Sequence, residues 1–264
     1  MKILVVGDPH GKLPKKIPKN VDLILCTGDL GKADLARKKF FENVKREKKG
    51  LPEIENTRAF EKKVWEEVYY SSIKVAKHLS KVAPTYTLLG NVGCHTDSET
   101  KKEEKKIGIK LPYMRKGLSK IKDFNIVKNR VRNINGFRIL FLEHFHDVCW
   151  DKEFNQKDKK IIRADRKETV KAKKILKGFG GVDILISHQP PHGVLDKVSG
   201  KYGAPKNWWG KHAGSKVVLD YIKKYPPKYV FCGHIHEGKG SNKIGKTIVI
   251  NAGVNGDCEV VDVG

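Results

Sequence analysis

ILVVGDPH, residues 3–10, sets the pattern for the whole chain. Four apolar residues, Ile3–Val6, are too few for a secretory leader and far short of the roughly 20 needed to cross a bilayer. Their β-branching suits a buried strand. Gly7 then lets the backbone turn, and Asp8 and His10 follow as polar groups with ligand chemistry. The same form recurs. Leu23–Cys26 is followed by Thr27-Gly28-Asp29, Thr85–Leu89 by Gly90-Asn91, Ile184–Ile186 by Ser187-His188, and Tyr229–Cys232 by Gly233-His234-Ile235-His236. Five apolar runs each end on a metal-type side chain. In open α/β sheets, ligands bind outside the carboxyl ends of the strands.

Three further runs, Arg138–Leu142, Thr247–Ile250 and Glu259–Val263, also read as strands. Only residues 251–258 separate the last two, which predicts an antiparallel pair. Helical patterns lie between the strands. Phe60, Val64, Trp65, Val68, Ser72, Val75, Ala76 and Leu79 share one face of a long helix. Val218, Tyr221, Ile222 and Tyr225 mark a shorter one, stopped by Pro226 and Pro227. Alternating strands and helices predict an α/β protein. One domain over 1–264 is expected, with a charged helical excursion at about 34–81. Residues 100–122, rich in Lys with Gly108, Pro112 and Gly117, read as a loop or flap.

The chain has 264 residues, 39% of them hydrophobic, so a disordered chain is excluded. Fifty-four Lys and Arg against 30 Asp and Glu give a net charge of +24. An anionic partner follows, either a phosphate-bearing substrate or nucleic acid. A Lys-rich surface of the heat-adapted kind is the alternative. Five cysteines without a C-x-x-C pair argue against a disulfide framework or a structural zinc cluster. Reduced thiols and a cytoplasmic protein with no membrane span are expected.

Asp8, His10, Asp29, Asn91, His188, His234 and His236 make seven N or O donors without a thiolate. Imidazole with carboxylate suits borderline metals. Seven donors are too many for one ion and suit two ions sharing a carboxylate, an arrangement fitted to phosphate esters.

The ordered set D-x-H, G-D, G-N, H and G-H-x-H, running from Asp8 to His236, resembles the calcineurin-like metallophosphoesterases. His188-Gln189-Pro190-Pro191-His192-Gly193 and Asn251-Ala252-Gly253 resemble its phosphodiesterase branch. The resemblance implies a four-layer αββα sandwich, two mixed β-sheets flanked by helices. It implies that Asp8, His10 and His236 hold one divalent ion, that Asn91, His188 and His234 hold a second, and that Asp29 bridges them. Manganese is the first expectation, with Fe, Ni, Zn or Mg as alternatives. It further implies hydrolysis of phosphodiesters by a metal-activated hydroxide, with Asp29, Asn91 and His234 as catalytic residues. A nuclease or nucleic-acid-binding protein of the same fold, or a non-catalytic metal-bound scaffold, are the rival readings.

One position departs from the family pattern. The usual Gly-Asn-His stands here as Gly90-Asn91-Val92, and Val92 has no proton to give a leaving group. His95, three residues on, is a candidate substitute. His144 and His146, after Arg138–Leu142, and His192, in a Pro-Pro turn, are candidate substrate contacts. Trp208 and Trp209, between basic residues, are candidates for stacking a base, with Lys201, Lys211 and His212 as candidate phosphate contacts. Gly11-Lys12 lacks the remainder of a P-loop, which excludes a nucleoside-triphosphatase of that type.

Overall fold

The computed structural model describes residues 1–14, 17–47 and 49–264. Eleven strands and seven α-helices follow one another along them. The strands are β1 (Lys2–Val6), β2 (Leu23–Cys26), β3 (Thr85–Thr87), β4 (Phe124–Ile126), β5 (Arg130–Ile134), β6 (Phe137–Leu142), β7 (Ile184–Ser187), β8 (Tyr229–Cys232), β9 (Gly240–Ile244), β10 (Thr247–Asn251) and β11 (Cys258–Asp262). The helices are α1 (Asp34–Glu47), α2 (Arg58–Leu79), α3 (Asp97–Ile107), α4 (Met114–Leu118), α5 (Cys149–Glu153), α6 (Lys159–Phe179) and α7 (Lys216–Lys224).

The strands form two mixed sheets, in the orders β11-β1-β2-β3-β4 and β5-β6-β7-β8-β10-β9. Both combine parallel pairs at the centre with antiparallel pairing at an edge. The side-chain period of two divides each central strand between two cores. Ile3, Val5, Leu23 and Leu25 face Phe141, Ile186 and Phe231 of the other sheet. Leu4, Val6, Ile24 and Cys26 point the other way, onto Val75, Ala76 and Leu79 of α2 and Leu118 of α4. On the opposite side, Leu140, Leu185 and Val230 meet Ala172 and Leu176 of α6 and Val218 and Ile222 of α7. These are the four layers. Burial on both faces is why the strands read as continuous apolar runs rather than alternating ones.

Two expectations are corrected. β10 and β11 are not a pair. β10 lies between β8 and β9, whereas β11 crosses to the other sheet and closes against β1. Residues 252–257 carry the chain from one sheet to the other. Residues 100–122 are not a loop either, since α3 and α4 occupy much of them. Thr96 and Glu99 form a reciprocal capping box, and Gly108, at φ 70°, is the left-handed cap that ends α3. A glycine taken for a loop signal is a helix stop. The strands not foreseen, β4, β5 and β9, are short or polar, as edge strands commonly are.

α1 and α2 occupy the charged excursion. α1 buries no residue, while α2 buries Ser72, Val75, Ala76 and Leu79 near its end. Among the described residues no helix is long and apolar enough to cross a membrane.

Candidate metal centre

All seven foreseen donors lie where strands end. β1 delivers Asp8 and His10, β2 Asp29, β3 Asn91, β7 His188, and β8 His234 and His236. Two groups of donor atoms converge, Asp8 with His10 and His236, and Asp8 with Asp29 and His188. Asp8 belongs to both groups, and Asp29 Oδ2 lies 3.9 Å from His10 Nε2 and 3.6 Å from His188 Nε2. Asn91 Oδ1 lies 2.9 Å from His188 Nε2 and 3.0 Å from His234 Nδ1.

The backbone brings these groups close at a cost. Gly90 has no side chain because a Cβ there would run into the Asp29 carboxylate and the His188 ring. His10 (φ 45°), Asp29 (φ 41°) and His234 (φ 63°) all sit in left-handed conformations. Each such residue costs of order 1–3 kcal/mol and persists only where the surroundings hold it. Three of the ten such residues among the described ones gather in this cluster.

Neighbouring groups set the donors. Thr27 Oγ1 donates to Asp8 Oδ1 at 2.9 Å, and the His234 backbone N–H donates to Asp8 Oδ2 at 2.6 Å. Burial alone would raise the Asp8 carboxyl; His188, His236 and His10 outweigh it and hold the group well below the usual carboxylate range. His188 Nδ1 donates to the Thr27 carbonyl at 2.9 Å, which turns Nε2 towards Asn91 Oδ1. His10 Nε2 and His236 Nε2 face each other at 3.3 Å. Two carboxylates, an amide oxygen and imidazole nitrogens converge without a thiolate, a donor set that fits divalent metal. Burial, and then His188, lowers His234 well below the ordinary imidazole range, which keeps it uncharged and able to coordinate. The buried Cys26 thiol is pushed up to about 12 and Cys232 higher still, so neither offers a thiolate. Among the described residues Cys26, Cys94, Cys149 and Cys232 form no disulfide.

The remaining candidates separate. His144 belongs to the cluster, with its ring centroid 5.6 Å from His188 and 5.1 Å from His234. Burial and those same imidazoles depress its pKa strongly. His146 packs edge-on to His144 at 5.2 Å but is exposed. His95 packs at a tilt against Trp65 at 4.6 Å, and His192 against His212 at 5.3 Å. His212 Nδ1 is held by Asp196 at 2.7 Å, and Lys211 Nζ donates to the Glu153 carbonyl. Trp209 Nε1 donates to the Ala204 carbonyl with the ring half exposed. Thr27, Trp150 and Tyr202 also belong to the site, although sequence reasoning did not pick them out. Trp150 stacks against His234 at 24° and 6.1 Å, and Tyr202 meets His236 edge-on at 5.2 Å. Thr27 adjoins the Gly-Asp motif and could have been found; the two aromatics arrive from distant segments and carry no local signal.

His10, Asp29, Asn91, His234 and His236 line a cavity of about 660 Å³ together with Lys12, Lys32 and Arg37.

A family model described as Calcineurin-like phosphoesterase matches residues 1–238. Metallophosphoesterase domain-containing protein 1 of Homo sapiens is 42% identical over 76 residues, 28% of this chain and 21% of that protein. A UPF0046 protein of Caenorhabditis elegans is 38% identical over 72 residues, 27% of this chain and 16% of that one. The chain therefore matches only a small part of the length of these relatives. One solved crystal structure superposes with a TM-score of 0.53 at 15% identity, covering 96% of this chain and 90% of the other, a likeness of fold.

Proposed function

This chain belongs to the calcineurin-like phosphoesterase family, and on that premise we propose that it hydrolyses phosphodiesters at a centre of two divalent ions, manganese in the first instance. Asp8, His10 and His236 would hold one ion and Asn91, His188 and His234 the other, with Asp29 between them. When bound, such ions polarise phosphoryl oxygens and lower the pKa of an attacking water. The protein's own groups do the rest. Thr27 and the His234 amide fix the Asp8 carboxylate. The Thr27 carbonyl fixes the tautomer of His188, as outer groups do for metal-ligating histidines. Lys12, Lys32 and Arg37 draw an anionic ester into the cavity. Val92, which also lines it, supplies no proton, so leaving groups that depart without one are favoured.

The observation that carries this reading is the convergence of donor atoms from Asp8, His10, Asp29, His188 and His236, with Asn91 Oδ1 between the His188 and His234 nitrogens. The experiment is metal analysis of the purified protein, with hydrolysis of bis(p-nitrophenyl) phosphate before and after chelation and re-addition of Mn²⁺. Activity unchanged by chelation would refute it.

A second reading, a nucleic-acid partner, rests on α6. Nine of its 21 residues are Lys or Arg, and all nine are exposed. Among the described residues none of these nine forms an ion pair. The Lys and Arg pairs involve Lys32, Lys62, Lys106, Arg115, Lys116, Lys128 and Lys239. Heat-adapted surfaces organise their charges into ion-pair networks; unpaired cations along a helix suit a polyanion better. The helix touches the site loop, since Glu168 accepts the His146 amide at 2.8 Å.

A further inference from the structure

The cavity over the donor cluster has an annex. Arg37, Phe40, Phe41, Tyr202, His234 and His236 line both the main cavity and an adjoining one of about 330 Å³. Beyond them the annex is walled by Trp150, Phe154 and Trp208. Its walls come from three separate segments. α1 supplies two phenylalanines, α5 and the residue after it supply Trp150 and Phe154, and the 198–208 loop supplies Tyr202 and Trp208.

These segments are fastened together. The Arg37 guanidinium donates to the Tyr202 carbonyl at 3.1 Å. Phe41 lies against Gly203, where an added Cβ would come within 3.2 Å of the ring. The Ser199 amide donates to Glu237 Oε1 at 3.0 Å, which ties the loop to the residue next to His236. Phe154 and Trp208 pack edge-on at 5.1 Å.

α1 gives the annex its meaning. The helix buries none of its residues, yet Phe40 stands 55% exposed on it, lining both cavities. Phe41, Trp150, Phe154, Tyr202 and Trp208 are half-buried around the annex, and half-buried aromatic walls beside a polar site are the lining of a ligand pocket. Aromatic walls favour an aromatic occupant, because offset and edge-on ring pairs add to plain area burial. An aliphatic group of equal size gains only the burial. Trp150 and Tyr202 lie against His234 and His236, so an occupant of the annex is within direct reach of whatever sits over the donor cluster.

We propose that this annex is a recognition subsite for a planar aromatic group carried by the ester, which makes aryl- and heteroaryl-bearing phosphate esters the substrate class, in preference to alkyl or sugar phosphates. The proposal rests on the phosphodiesterase reading above and adds to it the identity of the ester group.

The test separates ring recognition from leaving-group acidity. Phosphonates are not hydrolysed, so benzylphosphonate, cyclohexylmethylphosphonate and methylphosphonate are titrated calorimetrically into the Mn²⁺-loaded protein. Benzyl and cyclohexylmethyl phosphate diesters, whose alcohols are both weak acids, are compared for kcat and KM. Benzylphosphonate is expected to bind roughly tenfold tighter than the cyclohexylmethyl compound, as one ring stack provides, and the benzyl diester to show the lower KM. Trp208→Leu and, separately, Phe41→Leu should shrink that ratio towards one while methylphosphonate affinity holds. Phe41 is only half-buried, on a helix that buries no residue, which makes its variant the safer for folding. Equal affinities for the benzyl and cyclohexylmethyl compounds in the unaltered protein, or an equal loss for both in the two variants, would overturn the subsite. If methylphosphonate binds and bis(p-nitrophenyl) phosphate is cleaved in that case, the catalytic reading survives without it. If no phosphonate binds and no ester is cleaved, both fall together.

Discussion

Asp8 accepts the backbone N–H of His234 at 2.6 Å although 226 residues separate them. One end of the first strand and one end of the eighth are thereby locked, and the carboxylate is aimed by main chain as well as by Thr27. A side chain held this way has little freedom to adapt to a changed neighbour.

Thr27→Val removes the hydroxyl that donates to Asp8 but keeps the size and branching of the residue. Outer partners of metal ligands are worth roughly 10–100-fold in metal affinity or activity. Mn²⁺ affinity, read by competition with a fluorescent chelator, should fall within that range. An unchanged affinity would show that the His234 amide alone suffices to orient Asp8.

Asp29→Asn tests the bridge. Asparagine can still accept the Val92 amide, which meets Asp29 Oδ1 at 2.8 Å, so the Gly90 turn should survive. The other atom becomes an NH₂ that points protons towards His10 and His188. Metal content should drop below two ions per chain, and diesterase turnover should fall by more than about 100-fold. Full metal content with full turnover would remove Asp29 from its assigned place.

Val92→His restores a proton donor to the cavity wall. General acid help is worth roughly 10²–10⁴-fold where departure needs it. Alkyl phosphomonoesters should speed up towards that range, while bis(p-nitrophenyl) phosphate should change little. In the unaltered protein the activated diester should be cleaved faster than an alkyl monoester. Equal rates would mean that another group serves as the acid, and His95, His144 and His146 would be the ones to replace with Ala.

The basic helix makes a prediction about salt. Binding of single- and double-stranded RNA or DNA should weaken linearly in log–log form as salt rises. Replacing Lys160, Lys167 and Lys174 together by Gln should lower the slope by about one unit for each phosphate that is no longer neutralised. No binding at low salt would leave α6 without a polyanion to meet.

α1 and α2 should differ in what they give to stability. Leu79→Ala in the buried end of α2 should cost about 2–5 kcal/mol in urea unfolding. Phe40→Ala on α1 should stay within about 0.5 kcal/mol, because that ring is largely in solvent.

The order and spacing of the seven donors were legible because each follows an apolar run that can only be a buried strand. Periodicity was enough to place α2 and α7. The partnering of β11 was not legible, since proximity in sequence favours β10 and only the two-sheet geometry sends the chain back to β1. α3 was signalled by its Thr96–Glu99 box, but the abundance of Lys and the presence of Gly108 pulled the reading towards a loop. Polar strands such as β5 carry no hydrophobic pattern to detect. Val92 was visible as a departure, whereas the packing of His95 against Trp65 depends on a tertiary contact. The annex was the least visible feature, because its walls come from three segments that meet only in the folded chain.

The closing of β11 on β1 has a mechanical consequence. Met1 and Val263 exchange backbone hydrogen bonds at 2.9 and 3.0 Å, and five antiparallel rungs follow, from Lys2 opposite Asp262 to Val6 opposite Cys258. Tension between residues 1 and 264 would load this ribbon from its open end, so the rungs yield singly, as in a peeled tape, rather than together as in a sheared joint. The peel ends at Val6, two residues before Asp8. A pull on the ends therefore dismantles the donor cluster early, while most of the second sheet is still intact.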